Sequence, residues 1–206
     1  SLFIQAFKFA AEPYFFSKMK NADAKQTYAD VMSVYTLFLL TIFIGVMAYL
    51  DILQYFVGSE FRSGLKVVPV LLLANLCLGI YYNLSVWYKV GDKTIYGAYI
   101  SGIGAVITLI LNYLLVPHLG YMGAAWTTLI CYFAIMVICW AFGQKFYPVK
   151  YPIKRLSLYT LLALVLVGAI ICNPVANIVL KLLINTALLL VFVAVAYRFD
   201  VRKRLS

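Results

Sequence analysis

Acidic residues are scarce in this 206-residue chain: Asp and Glu together number seven, against seventeen Lys and Arg, and only 12% of residues are charged. The single histidine, His118, has no acid or nucleophile near it in sequence. The four cysteines lie scattered in apolar stretches without metal-ligand spacing, and no glycine-rich phosphate loop follows a strand pattern. We therefore predict that the chain is not an enzyme, with no catalytic residues, no metal site and no cofactor.

In place of charge the chain has long apolar runs. Hydrophobic residues make up 65% of the sequence, and six runs without Asp, Glu, Lys or Arg cover residues 31–50, 67–88, 94–117, 119–144, 156–180 and 182–197. A helix needs about 20 residues to cross a bilayer core of about 30 Å. Because backbone groups in hydrocarbon must be bonded within the chain, and the runs lack barrel alternation, we predict an all-α polytopic membrane protein.

The runs predict a layout of six transmembrane helices plus the end of a preceding one. Residues 1–17 are that end, since they are largely apolar and lack the features of a signal peptide. The predicted parts that follow are 18–142 with four helices at about 31–50, 67–88, 95–116 and 121–142, a basic cytoplasmic loop at 143–155, a terminal helix pair at 156–197 and a basic cytoplasmic tail at 198–206. We expect an upstream part of the same protein.

Positive charge is concentrated in every second gap between the runs. One set of gaps and termini contains Lys18, Lys20, Lys25, Lys89, Lys93, Lys145, Lys150, Lys154, Arg155, Arg198, Arg202, Lys203 and Arg204. The other set contains Arg62 and Lys66, with Lys181 at the head of the last run. Because cytoplasmic loops carry the excess of Lys and Arg, the first set, including the C-terminus, is predicted to be cytoplasmic. The charge indicates contact with a bilayer and not with nucleic acid.

Lys8 and Glu12 form the one ionisable pair at predicted membrane depth. Four residues apart, they share a helical face and can pair, and Pro13 disturbs the backbone bonding beside them. Charged residues within a membrane usually face a bundle interior or a wet cavity, which favours a site for an anionic substrate or a coupling ion. A purely structural pair, in which Lys8 snorkels or neutralises Glu12, stays open.

A few polar side chains lie inside the runs, and their common role is hydrogen bonding between helices. They are Asn75, Asn83, Asn112, Thr127, Thr128 and Asn185. Asn83 is the exception we single out, because Tyr82 and its neighbour Tyr81 offer hydroxyls and aromatic faces suited to a sugar ring. Asn83 and Tyr82 are therefore candidates for the substrate pathway.

Two connections between runs have patterns of their own. The sequence GYMGAA at 120–125 follows a short Pro117-His118 turn, and its small residues predict a tight helical hairpin. Residues 55–66 mix apolar side chains with Glu60, Arg62 and Lys66, which predicts a short amphipathic helix on the outer membrane interface.

Four segments, in order along the chain, resemble landmarks of one transporter family. They are QAFKFAAEPYFF at 5–16, DILQYFVG at 51–58, VVPVL at 67–71 and GYMGAAWTT at 120–128. The chain is similar to the polysaccharide transporter (oligosaccharide flippase) family of the multidrug/oligosaccharidyl-lipid/polysaccharide flippase superfamily, closest to its bacterial envelope-polysaccharide branch. Members have 12 or 14 helices in two lobes, so the resemblance implies a C-terminal lobe whose N-terminal lobe lies outside this chain.

The resemblance also implies a function. It is the movement of a lipid-linked oligosaccharide on a polyprenyl carrier from the cytoplasmic to the outer leaflet of the bacterial inner membrane, for O-antigen, other lipopolysaccharide or capsule-like polysaccharide. Transport would proceed by alternating access of two lobes, with Lys8 facing the anionic carrier.

Three other functions stay open. A cation-coupled multidrug-type exporter of the same superfamily needs acidic residues deep in a helix, and the six runs contain none. A membrane glycan polymerase or acyltransferase needs a long outer loop with clustered Arg, His or carboxylates, and the predicted outer gaps are short. The third is a purely structural or interaction subunit.

Overall fold

The chain folds into helices throughout the part that the structure describes. The structure is a computed structural model that describes residues 2–19, 23–175 and 177–198, and no strand occurs in these ranges. The helices are α1 Leu2–Lys18, α2 Ala24–Ala48, α3 Leu50–Leu53, α4 Val68–Leu84, α5 Val86–Val90, α6 Ile95–Phe146, α7 Ile153–Ile171 and α8 Ile178–Ala196, with 3-10 helices at Gln54–Phe56 and Ser59–Val67. The all-α prediction is confirmed. Lys20 and the predicted basic tail beyond residue 198 lie outside the described residues.

Several of these helices are long and apolar enough to cross a membrane. Within the described residues there are five such stretches: Ala24–Ala48, Ser59–Val90, Ile95–Phe146, Ile153–Ile171 and Ile178–Ala196. Their lengths of 19 to 52 residues meet the requirement of about 20 residues for a bilayer core. The chain is therefore a multi-pass membrane protein of the all-α class. The sequence predicted six crossings. The structure has five such stretches within the described residues because two of the predicted runs lie in the single helix α6.

Helix α6 folds back on itself at Gly120. This residue has φ 55° and ψ −135°, a conformation that glycine adopts and residues with a Cβ avoid. The Cys131 thiol donates a hydrogen bond to the Gly104 carbonyl at 3.3 Å. In a straight helix these residues would be about 40 Å apart, at 1.5 Å per residue. The two arms of α6 therefore pack as a hairpin, and they correspond to the runs predicted at 95–116 and 121–142.

The chain forms two compact units, each described here by itself. The first contains Ser1–Val34 and Lys66–Tyr151, and the second contains Tyr35–Leu65 and Pro152–Ser206. In the first unit α4 packs along α6. Glycines of α6 allow close approach elsewhere in this unit. A Cβ on Gly104 would lie 3.0 Å from Ile135 Cγ2, and one on Gly143 would lie 3.0 Å from Trp87 Cδ1. The small residues of α6 thus pack its arms together and against α5.

In the second unit, polar contacts join the end of α2 and the residues after it to α8. The buried Asn185 amide donates to the Ala48 carbonyl at 3.0 Å and accepts from Asn173 Nδ2 at 3.3 Å. Lys181 Nζ lies 2.7 Å from Asp51 Oδ2. Asn185 therefore forms the interhelical hydrogen bond that its position predicted. Since Lys181 is neutralised by Asp51, it adds little to the charge of the predicted outer side.

Other polar side chains of the runs behave differently. Asn75 Nδ2 donates to the Leu71 carbonyl at 2.7 Å, and Thr128 Oγ1 donates to the Ala124 carbonyl at 2.9 Å. The Asn75 bond lies within α4 and the Thr128 bond lies within α6. The prediction that these side chains bond to another helix is therefore wrong for these two hydrogen bonds. The reason is that the carbonyl four residues earlier is always within reach of such a side chain.

Candidate functional site

Helix α1 carries two of the predicted site residues and packs within the first unit. It runs unbroken from Leu2 to Lys18 although Pro13 lies inside it. Proline has no N–H to donate, so one backbone hydrogen bond is lost at this point. The helix contacts α4 and α5. Glu12, one residue before Pro13, lies on the side of α1 that meets α5.

Glu12 forms an ion pair with Lys89, which the sequence analysis had assigned to a cytoplasmic gap between two runs. The Lys89 ammonium donates to the Glu12 carboxylate, with Nζ 2.5 Å from Oε1. Lys89 is 23% exposed and Glu12 is 34% exposed. The backbone of Lys8 belongs to α1, but its side chain lies outside the described part of the chain, so its role stays a prediction. The described partner of Glu12 is thus on another helix, 77 residues along the chain.

An apolar cluster adjoins this ion pair. Its buried members are Ala11, Phe15, Ala24, Tyr28 and Val86, and partly buried Phe7, Val31, Val90 and Tyr147 surround them. The Phe15 and Tyr28 rings meet edge to face with centroids 5.2 Å apart, a favoured aromatic geometry. The Tyr28 hydroxyl also donates to the Phe15 carbonyl at 3.3 Å. Because Ala11 and Val90 are the neighbours of Glu12 and Lys89, the ion pair lies at the edge of this cluster.

A second group of rings, which we call the aromatic group, lies around Phe146 at the end of α6. Its members are Trp87, Tyr96, Phe142 and Phe146, and Trp87 stacks on Phe146 with centroids 5.7 Å apart and planes at 18°. Two cations face Phe146: Lys93 Nζ lies 4.3 Å from its ring centroid and Lys145 Nζ 5.8 Å. Such contacts within about 6 Å are favourable cation–π interactions. Two of the predicted cytoplasmic lysines of this unit therefore contact the same aromatic ring.

The short connection after α6 adds two tyrosines to the same unit. Lys25 Nζ lies 4.8 Å from the centroid of the Tyr147 ring. Burial raises the pKa of Tyr147 above its usual value, and burial raises the pKa of Tyr151 as well. Both phenols are therefore neutral at neutral pH. The charge of this connection comes from Lys150 alone.

Asn83 and Tyr82 lie on α4, and the structure gives them different surroundings. Asn83 is 1% exposed, and neither of its amide atoms has a hydrogen-bond partner within the described residues. The Tyr82 ring is half-buried and packs against Tyr81 with centroids 5.6 Å apart. A sugar does not reach the Asn83 amide in this conformation, so its contact with substrate stays a prediction that requires movement of α4 or its neighbours.

Reasoning from sequence missed Lys89 as a member of the site. The sequence places Lys89 in a cytoplasmic gap, and no spacing rule links it to Glu12. A weak signal does exist, because Glu12 needs a cation if it lies among apolar helices, and Lys89 is the lysine nearest the start of its gap. Within the described residues, no group of three or more His, Cys, Asp or Glu side chains is arranged to hold a metal ion.

No known protein family, curated protein sequence or solved structure matches this chain. The resemblance to the polysaccharide transporter family therefore stays a prediction from the four sequence segments. The geometry offers an ion pair between two helices, beside an apolar cluster, in a unit where Lys25, Lys93 and Lys145 face aromatic rings. An ammonium group such as that of Lys89 can hold an anionic group.

Proposed function

We propose that the chain is part of a membrane transporter that flips a lipid-linked oligosaccharide from the cytoplasmic to the outer leaflet of a bacterial inner membrane, for envelope polysaccharide synthesis. In this proposal the two arms of α6 each cross the bilayer, so that the chain has six crossings. Helix α1 ends a preceding crossing, and the whole forms the C-terminal lobe of a two-lobe protein. The basic connections and the C-terminus are cytoplasmic.

The observation that carries the proposal is the ion pair between Glu12 and Lys89, which joins α1 to α5. A charge pair among apolar helices is costly, and in membrane proteins such pairs mark the paths of substrates and ions. The carrier of a lipid-linked oligosaccharide bears phosphate, which competes with a carboxylate for an ammonium group. Lys89 would thus exchange Glu12 for the phosphate, with Lys8 as a second cation on α1 and Asn83 and Tyr82 contacting the sugar.

A transport assay tests this proposal directly. The protein that contains this chain is reconstituted in liposomes with a fluorescent short-chain polyprenyl-diphosphate oligosaccharide, and a membrane-impermeant reductant quenches the outer leaflet. We expect the inner-leaflet pool to become accessible, because the transporter carries it across. A glycerophospholipid with the same fluorophore is the control and is expected to stay protected. If the oligosaccharide lipid is as protected as in protein-free liposomes, the proposed function is wrong.

A further inference from the structure

The segment between α2 and α4 connects two stretches of the chain that are long and apolar enough to cross a membrane. Helix α2 ends at Ala48, and α4 begins at Val68, and both belong to stretches long and apolar enough to cross a bilayer. The segment between them consists of α3 and two 3-10 helices. We call residues 50–65 the connecting segment. Since one candidate stretch ends at Ala48 and the next begins at Ser59, the connecting segment lies where two candidate crossings meet, and we expect its residues near the membrane surface.

The connecting segment exposes large aromatic side chains. Phe56 is 85% exposed, Phe61 is 73% exposed and Tyr55 is 66% exposed. No residue of α3 or of the two 3-10 helices is buried. Phe side chains fully surrounded by water are unfavourable, and aromatic residues prefer the headgroup level of a bilayer.

Charged residues alternate with these rings and hold part of the segment in place. The Arg62 guanidinium lies 5.3 Å from the centroid of the Tyr55 ring, and its Nε donates to the Val57 carbonyl at 3.4 Å. Glu60 is exposed beside Phe61. In a 3-10 helix successive side chains are separated by about 120°, so Glu60 and Phe61 point in different directions. Within the second 3-10 helix, Glu60 therefore points away from Phe61.

We propose that the connecting segment is a lipid-binding surface that inserts Phe56 and Phe61 into the interface of the bilayer, with Glu60 towards water. The partner is the lipid bilayer itself, because the crossings on both sides place the segment at its surface and because Phe and Tyr with an adjoining Arg suit the headgroup region. The insertion fixes the depth of the ends of α2 and α4. It does not depend on what the protein transports.

Spin labelling at matched positions tests this proposal. Of the four cysteines only Cys172 is exposed, so Cys172→Ser gives a background in which the remaining cysteines are buried. Phe56→Cys and Phe61→Cys place labels at the two exposed Phe positions, and Ser59→Cys and Glu60→Cys are the controls on the same segment. The full-length protein is reconstituted in phosphatidylcholine vesicles, and collisions with molecular oxygen and with a water-soluble nickel chelate are measured.

At positions 56 and 61 we expect oxygen collisions to exceed nickel collisions, because oxygen concentrates in acyl chains. At positions 59 and 60 we expect the reverse, so the logarithm of the ratio changes sign between the two pairs. If all four labels favour the nickel chelate, the segment lies in water and the proposal is wrong. If labels 56 and 61 are shielded from both agents, a protein surface covers them, and the proposal is equally overturned.

Discussion

Gly123→Ala is expected to destabilise the hairpin of α6 by forcing its two arms apart. A Cβ at this position would lie 2.5 Å from the Leu115 carbonyl oxygen and 2.8 Å from its carbon. Both atoms belong to backbone, so no side-chain rotation relieves the clash, and the arms must move apart. Overpacking of this kind costs about 2 kcal/mol, or a fall in Tm of about 5 °C.

The matched control for this change is Gly102→Ala in the first arm of the same helix. A Cβ at Gly102 has no atom within 4 Å, and alanine is the better helix former, so we expect an unchanged or slightly higher Tm. Thermal unfolding of purified protein in detergent, followed by the loss of the monodisperse peak in size-exclusion chromatography, measures both variants. Equal Tm values for Gly123→Ala and Gly102→Ala would contradict the close packing at the reversal.

Lys89→Met is expected to destabilise the protein and to abolish most transport. The change leaves the Glu12 carboxylate without its described cation beside an apolar cluster. About a quarter to a third of each side chain is exposed. We therefore expect the free energy of unfolding to fall by roughly 2 kcal/mol, less than for a fully buried pair. The double variant Glu12→Gln with Lys89→Met removes both charges, so its stability should return towards that of the original protein.

Transport separates the structural role of this pair from its proposed role with substrate. If Lys89 binds the phosphate of the carrier, the double variant regains its Tm but stays inactive in the flipping assay. Lys93→Met is the control, since Lys93 is exposed and faces the Phe146 ring at 4.3 Å. A double variant as unstable as Lys89→Met would show that the pair does not hold α1 in place. Full activity of the double variant would show that the pair has no part in transport.

The helices could be predicted from the apolar runs, but their ends could not be placed from charge alone. The first run begins after Asp30, whereas α2 begins at Ala24. A transmembrane helix can extend beyond the hydrocarbon core of the bilayer. The polar first turn of α2, which contains Lys25 and Gln26, therefore belongs to the helix although it precedes the apolar run. In the opposite direction, the charge-free run at 156–180 is longer than α7, which ends at Ile171. The sequence Asn173-Pro174 interrupts it, since the residue before a proline avoids the helical region.

The candidate site was only partly predictable, for a different physical reason. The position of Glu12 on an apolar helix predicted that it needs a cation, and the helical period offered Lys8 as the neighbour on the same face. The described partner, Lys89, is close only because α1 packs on α5. Contacts between helices far apart in sequence depend on packing that no local pattern encodes. Burial of the Asn83 amide is a result of the same packing.

Labelling from the two sides of the membrane tests the arrangement of α6 and the charge-based orientation together. In the Cys172→Ser background, single cysteines replace three exposed residues. Lys93 lies before the first arm, His118 lies next to the reversal between the arms, and Lys150 lies after the second arm. A membrane-impermeant maleimide is added to right-side-out and to inside-out vesicles. We expect His118→Cys to react only in right-side-out vesicles, and Lys93→Cys and Lys150→Cys only in inside-out vesicles. Reaction of all three positions from the same side would contradict the account.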